Sequence, residues 1–171
     1  WSSDVCPSDL GLFLASIHAA VDNDDAAFAL ANRRTSDPDV RQRQVAFQAQ
    51  RLIVRGQKDE GLNLIAGYAE ANARDYGALV AAGEAFTTAG KFRDARKYFN
   101  RAAQLAPTRD EALLGLGRLF RQQGKQRDSL ALYEEVVARN PESVPGWLGI
   151  ADVAQLRGDL NRAWQIGRAH V

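Results

Sequence analysis

The stretch that decides the fold is Leu79–Pro107, which reads LVAAGEAFTTAGKFRDARKYFNRAAQLAP. The same order of residue types returns at Leu113–Pro141, which reads LLGLGRLFRQQGKQRDSLALYEEVVARNP. Each stretch has a glycine near its middle and a proline at its end, and apolar residues recur between them at helical spacing. The chain therefore contains an internal repeat with a period of 34 residues.

The repeat extends to both sides of this pair of stretches. Its glycines are Gly56, Gly90, Gly124 and Gly158. Columns of small residues keep the same step, namely Ala49, Gly83, Gly117 and Ala151, and then Gly61, Ala95, Ser129 and Ala163. Columns of larger residues include Val45, Leu79, Leu113 and Trp147, and then Ile65, Phe99 and Tyr133. A further column contains Tyr68, Ala102 and Val136. A fixed step through so many columns indicates stacked copies of one structural unit.

Helix geometry explains the columns. Positions 79, 83 and 86 have the spacing i, i+4, i+7, which places them on one face of a helix, and positions 95, 99 and 102 repeat that spacing on a second helix. The glycine between them is expected at the end of the first helix, in a left-handed conformation. Pro107 and Pro141 cannot continue a preceding helix and so separate the units. Thr108–Glu111 reads as a capping box for the next helix, and a further helix is expected to open at Ser143 or Val144.

A period of about 34 residues with this column order is typical of tetratricopeptide repeats, and the chain resembles that family over residues 42–165. The resemblance implies an all-α fold, a right-handed α-solenoid of helix–turn–helix repeats. The expected units are repeat A at 42–75, repeat B at 76–109, repeat C at 110–143 and a truncated repeat D at 144–165. A degenerate upstream repeat is expected at 11–41.

The two ends of the chain differ from the repeats. Residues 1–10 and 166–171 resemble translated sequencing-adapter peptides and are interpreted as non-native tails. The sequence contains no Met, and its one Cys lies in the first of these tails. The chain is therefore interpreted as a window on a longer repeat array.

Composition argues against several classes of protein. The 22 Lys and Arg nearly balance the 21 Asp and Glu, so nucleic-acid binding through bulk positive charge is not expected. No apolar run is long enough to span a bilayer, and no Cys/His cluster has metal-site spacing. His18 lacks a partner nucleophile and is interpreted as an ordinary helical residue. We therefore expect no enzyme activity, metal or cofactor.

In this family the groove-facing residues lie between the packing columns of each first helix. The corresponding positions here are Arg43, Ala46, Gln50 and Ile53; Gly77, Val80, Glu84 and Thr87; Glu111, Leu114, Arg118 and Arg121; and Leu148, Asp152 and Gln155. The partner-binding candidates are Gln50, Glu84, Thr87, Arg118, Arg121, Asp152 and Gln155. The cations of a carboxylate clamp are missing from repeats A and B. Arg118 and Arg121 have the spacing to hold one acidic group, and the alternative is a solvated ion pair.

A second charged feature lies on the second helix of repeat B. Arg93, Arg96, Lys97 and Arg101 have the spacing i, i+3, i+4, i+8 and form a basic row on its outer side. Such a row could meet nucleic acid, an anionic polysaccharide or a membrane surface. A solvated face is the preferred interpretation, because phosphate binding needs more than four cations on a nearly neutral chain.

The resemblance implies a non-catalytic scaffold that binds an extended protein or peptide segment in the concave groove. One alternative is a periplasmic arm of a bacterial exopolysaccharide exporter of the cellulose type, since the repeats are similar in style. Another is the regulatory region of a larger enzyme. Both cytoplasm and periplasm stay open as compartments. Because Trp147, Leu148 and Ile150 belong to a truncated unit, part of their apolar face is expected to stay uncovered, and this end of the chain is expected to self-associate or fray.

Overall fold

The structure is a computed structural model that describes residues 36–159. These residues form seven α-helices and no strand. The helices are α1 (Pro38–Val54), α2 (Lys58–Ala71), α3 (Tyr76–Thr88), α4 (Phe92–Leu105), α5 (Glu111–Gln122), α6 (Gln126–Arg139) and α7 (Val144–Leu156). The all-α class expected from the sequence is thus confirmed for this part of the chain. Helix α1 begins at Pro38, ahead of residue 42, where repeat A was expected to start.

The helices belong to two compact units, the first ending at Ala89 and the second beginning at Gly90. In the first unit, α1 packs against both α2 and α3, and α2 packs against α3. In the second unit, each helix from α4 to α7 packs against the next one, and α5 also contacts α7. Within each unit, helices therefore contact only near neighbours along the chain, as in other helical-repeat proteins.

Polar side chains cap the first turns of α1 and α7. Asp37 caps α1, because its Oδ1 accepts a hydrogen bond from the Asp39 N–H at 2.9 Å. Ser143 caps α7, because its hydroxyl oxygen accepts from the Gly146 N–H at 3.3 Å. Both caps satisfy backbone donors that the first turn of a helix leaves unpaired. A helix was expected to open at Ser143 or Val144, and α7 begins at Val144 with Ser143 as its cap.

The start of α5 differs from the expected capping box. The helix begins at Glu111 after Asp110, whose side chain makes no capping hydrogen bond. In a capping box the glutamate is the third helical residue and bonds back to the cap, whereas Glu111 is the first helical residue. Its carboxylate instead accepts a hydrogen bond from Arg109 at 3.0 Å. The capping-box prediction at Thr108 was therefore wrong by two positions.

The four periodic glycines end the first helices. Gly56, Gly90, Gly124 and Gly158 have φ angles of 89°, 78°, 72° and 77°, the left-handed region that costs glycine least. After α1, the Gly56 N–H donates to the Ile53 carbonyl at 3.1 Å, and the Gln57 N–H donates to the Leu52 carbonyl at 2.9 Å. This pair of bonds is a Schellman motif, and it lets the next helix begin within two residues of the glycine.

The core of the first unit is made of small and branched apolar residues. Ala49 and Ile65 are fully buried, and Leu79 is 1% exposed. One column slips by a residue in repeat A. Tyr68 stands in the periodic position but is half-buried, and Ala69 is fully buried in its place. The slip follows from helix geometry, because Ala69 lies one turn after Ile65 on the same face of α2.

The core of the second unit joins three helices. Leu114 of α5, Tyr133 and Val136 of α6, and Ile150 and Val153 of α7 form one buried cluster. Part of the apolar face at the start of repeat D was expected to stay uncovered, and Ile150 belongs to the part that is covered. Ile150 is 2% exposed, because it packs into this cluster against α5 and α6.

The neighbours of Ile150 on α7 differ in their surroundings. Trp147 is half-buried, and its Nε1 donates to the Pro141 carbonyl at 2.8 Å. Leu148, by contrast, is 61% exposed. Within the part of α7 that the structure describes, the apolar surface that stays uncovered thus includes Leu148 and not Ile150.

Several expectations fall outside residues 36–159. They are the two tails at 1–10 and 166–171, almost all of the upstream repeat at 11–41, and the last residues of repeat D. Expected self-association is likewise untested and stays a prediction. Along the described helices, none combines the length and the apolar character that crossing a lipid bilayer requires.

Candidate partner-binding surface

The charged candidates of repeats C and D lie together on one surface of the second unit. Arg118 and Arg121 are separated by about one turn of α5, and Leu148 and Asp152 are separated by about one turn of α7. Arg121 Nη1 lies 3.9 Å from Asp152 Oδ2, so this ion pair joins the two helices. We call these four residues the α5–α7 face.

The ion pair on this face is a loose one. A distance of 3.9 Å is longer than the roughly 2.7–2.9 Å of a charge-assisted hydrogen bond. The Arg121 side chain is 33% exposed and that of Asp152 is 55% exposed. Exposed pairs of this kind contribute about 0–1 kcal/mol to stability. The Arg121 Nε is buried and has no hydrogen-bond partner among the described residues.

Tyr133 reaches this face from α6 through a gap between two glycines. A Cβ atom added to Gly117 of α5 would lie 2.6 Å from the Tyr133 ring, and one added to Gly149 of α7 would lie 2.5 Å from it. Real Cβ atoms essentially never approach that closely. The tyrosine ring therefore occupies space that only glycine leaves free on both neighbouring helices.

The hydroxyl end of Tyr133 lies among polar groups. Burial raises the pKa of Tyr133 above its ordinary value of 10.0, while the positive charges of Arg121 and Arg118 lower it, as do side-chain hydrogen bonds with Ser129 and Arg121. Ser129 Oγ itself donates to the Gly117 carbonyl at 2.8 Å. The ring is thus fixed by packing, and its polar end adjoins the two arginines.

The candidates of the first unit are arranged differently. Gln50 of α1 and Glu84 of α3 are exposed. Thr87 was expected on the groove but is only 8% exposed, and its hydroxyl donates to the Gly83 carbonyl at 2.7 Å. It is a buried residue bonded to its own helix, as is common for threonine within a helix. Ile53, another groove-facing position, is also buried, at 4% exposure.

The remaining candidates divide between surface and core. Gln155 of α7 is exposed beside the α5–α7 face. Leu114 was expected to face the groove but is 7% exposed and belongs to the core of the second unit. Positions 53 and 114 carry large apolar side chains, which gain more from burial than from facing water.

The basic row on α4 is exposed and partly engaged with aromatic rings. Arg93, Arg96 and Lys97 are exposed. The Arg96 guanidinium lies 5.8 Å from the centre of the Phe120 ring, and Arg101 lies 5.7 Å from that of Tyr98. Cation–π contacts at exposed sites contribute about 0.5–1 kcal/mol, so these two arginines have a packing role within the unit.

Sequence reasoning placed Arg118, Arg121, Leu148 and Asp152 at groove-facing positions but did not connect Tyr133 with them. It placed Tyr133 among the large packing residues only. Two signals were available. Tyr133 stands where the preceding repeats have Ile65 and Phe99, and Gly149 follows Gly115 by 34 residues. A polar-ended ring beside paired glycines indicates a side chain that passes between helices.

Comparison with known proteins decides the family. Two family models of the tetratricopeptide repeat match the chain, one over residues 76–119 and the other over residues 114–171. The chain belongs to the tetratricopeptide repeat family. The resemblance drawn from the 34-residue period is therefore confirmed. Tetratricopeptide repeats typically serve as non-catalytic scaffolds for protein interaction.

Solved structures agree on the tetratricopeptide repeat fold. A thermophilic tetratricopeptide repeat protein of Thermus thermophilus is 16% identical, with a TM-score of 0.73 over 95% of this chain and 89% of that one. A tetratricopeptide repeat protein from Parabacteroides merdae is 16% identical, with a TM-score of 0.62 over 95% and 65% of the two chains. MamA from Desulfovibrio magneticus is 11% identical, with a TM-score of 0.61 over 95% and 92%. At these identities the likeness concerns the fold alone. No curated protein sequence matches the chain.

Proposed function

We propose that this tetratricopeptide repeat chain is a non-catalytic scaffold that holds an extended segment of a partner protein along the first helices of its repeats. The observation that carries the proposal is the α5–α7 face, where an exposed leucine lies beside a loose, half-exposed ion pair. A surface of this composition suits a segment held by several weak contacts, with an apolar anchor and polar neighbours.

The first unit offers polar groups of its own for such contacts. Gln50 and Glu84 occupy groove-facing positions of the family and are exposed. They offer hydrogen-bond donors and acceptors without a large apolar area. An extended segment presents its own backbone groups, which such side chains can satisfy. The proposal does not require an enclosed pocket.

The test uses a phage-displayed library of unstructured 12-residue peptides, panned on the 171-residue chain. Enriched peptides are then measured by fluorescence anisotropy against the unaltered chain and two variants. Leu148→Glu should weaken binding about 10-fold, because it removes a central apolar anchor. Gln104→Glu, on an exposed position of α4, is the matched control and should leave binding unchanged.

Two outcomes would contradict the proposal. In one, no peptide is enriched above the level of an unrelated helical protein. In the other, Gln104→Glu weakens binding and Leu148→Glu does not, which would place the binding surface elsewhere. Circular dichroism of each variant checks that its helix content equals that of the unaltered chain.

A further inference from the structure

Arg118 and Arg121 lie about one turn apart on α5, and Asp152 of α7 approaches Arg121. Arg121 and Arg118 both lie near the Tyr133 hydroxyl, and Asp152 approaches Arg121 at 3.9 Å. We infer that this site binds an acidic side chain of the partner, and that Leu148 binds an apolar side chain next to it. The inference rests on the proposed function and names the chemistry of the segment that the scaffold selects.

The position of Arg121 favours an additional anion. Its ion pair with Asp152 is longer than a hydrogen bond, so Asp152 does not saturate the guanidinium. The guanidinium is planar and has five N–H donors, two of which can bind a carboxylate in a bidentate arrangement. A partner carboxylate could therefore bind Arg121 more closely than Asp152 does, and Arg118 would add a second positive charge.

Tyr133 and its glycines hold the site in shape. The ring is 2% exposed and lies against Gly117 and Gly149 at distances that leave no room for a Cβ atom. Its hydroxyl lies beside Arg121, with which it shares a side-chain hydrogen bond. Because packing already fixes the Tyr133 side chain, it loses less conformational entropy when a ligand binds. The site is thus pre-organised from inside the core.

Leu148 supplies the apolar half of the recognition. It is 61% exposed and lies one helical turn before Asp152 on α7. A partner segment that places a carboxylate on Arg121 passes directly over this leucine. The preferred sequence therefore carries an Asp or Glu near a residue such as Leu, Ile or Phe. Lysine at the acidic position is disfavoured, because it would face two arginines.

Asp152 sets the strength of the site. Because it is the carboxylate already near Arg121, a partner acid has to compete with it. Replacing Asp152 with Asn keeps the shape and removes the competing charge. The variant Asp152→Asn should therefore bind acidic peptides more tightly than the unaltered chain, by about 3-fold, as expected for a half-exposed pair.

The experiment uses three 12-residue peptide sub-libraries that differ at one central position, fixed as Glu, Gln or Lys. Each is panned on the 171-residue chain, and the best Glu peptide is synthesised with its Gln counterpart. The Glu sub-library should be enriched most, and the Glu peptide should bind about 3- to 10-fold more tightly than the Gln peptide. With the variant Arg121→Gln, that ratio should fall to about 1.

The outcomes separate this inference from the proposed function. Equal enrichment of the Glu and Gln sub-libraries, with binding still lost in Leu148→Glu, would overturn the acidic site and leave the scaffold proposal standing. Failure of all three sub-libraries would overturn both. An unchanged Glu-to-Gln ratio in Arg121→Gln would also overturn the inference, and Arg118→Gln then shows whether that arginine carries the preference instead.

Discussion

Repeats A and C have the same 34-residue frame but fill it with different chemistry. The second helix of repeat A sends Ile65 into the core, where it is fully buried. The second helix of repeat C sends Tyr133 into the core, where it is 2% exposed and where the charges of Arg121 and Arg118 lower its pKa against the effect of burial. The two side chains occupy equivalent positions, yet only one of them connects the core to a charged surface.

The two helices within each repeat also approach each other differently in repeat A and in repeat C. In repeat A, a Cβ atom on Gly61 would lie 2.6 Å from the Ala49 carbonyl oxygen. In repeat C, the equivalent residue is Ser129, whose hydroxyl donates to the Gly117 carbonyl at 2.8 Å. The comparison shows that the period specifies how much space each position has. It does not specify whether that space holds a backbone contact, a hydrogen bond or a functional group.

The largest expected effect concerns what positions 65 and 133 share, which is a buried side chain. Ile65→Ala and Tyr133→Ala should each lower the free energy of unfolding by about 2–5 kcal/mol, because each removes a buried side chain and leaves a cavity. Chemical denaturation followed by circular dichroism measures both. A loss below about 1 kcal/mol in either variant would show that the two positions are not structurally equivalent.

A second prediction concerns the close approach in repeat A. Gly61→Ala should lower the free energy of unfolding by about 1–3 kcal/mol, because its Cβ atom would meet the Ala49 carbonyl oxygen and force the helices apart. Gly67 is the matched control on the same helix, since nothing lies within 4 Å of a Cβ added there. Gly67→Ala should raise the free energy by about 0.5–1 kcal/mol.

The two substitutions should change the free energy of unfolding in opposite directions. If both substitutions stabilise the chain, the two helices of repeat A are not in the contact described for Gly61. Thermal denaturation of the two variants side by side with the unaltered chain is sufficient to determine the sign.

The sequence predicted the fold well because the fold depends on spacing. Glycines at the helix ends and small residues at helical intervals can be recognised without any distance, since each acts through its own size and backbone freedom. The opening of α7 was located in this way to one of two adjacent residues, Ser143 or Val144. The one-residue slip at Tyr68 was not, because it depends on which face of α2 meets its neighbours.

The candidate surface was predicted less well because it depends on contacts between repeats. Thr87 and Leu114 occupy groove-facing positions, but burial draws both of them inward. The approach of Arg121 to Asp152 joins α5 and α7, which are 31 residues apart at those positions, and no local pattern encodes it. The proximity of Tyr133 to both arginines depends on Gly149 as well. Its prediction would therefore have required the packing of α5, α6 and α7 together.

The smallest expected effect isolates the hydroxyl that distinguishes Tyr133 from Ile65. Burial raises the pKa of Tyr133 in the folded chain above 10.0, so folding favours the neutral phenol. This contribution is fully present below about pH 10 and is lost as the pH rises through the folded-state pKa. Between about pH 9 and pH 11, the unaltered chain should therefore lose more stability than Tyr133→Phe. Urea denaturation of both chains at each pH measures the difference, and contributions from every other titrating group cancel in it. Parallel curves would mean that the hydroxyl ionises as readily in the folded chain as in the unfolded one, and that Tyr133 differs from Ile65 in shape alone.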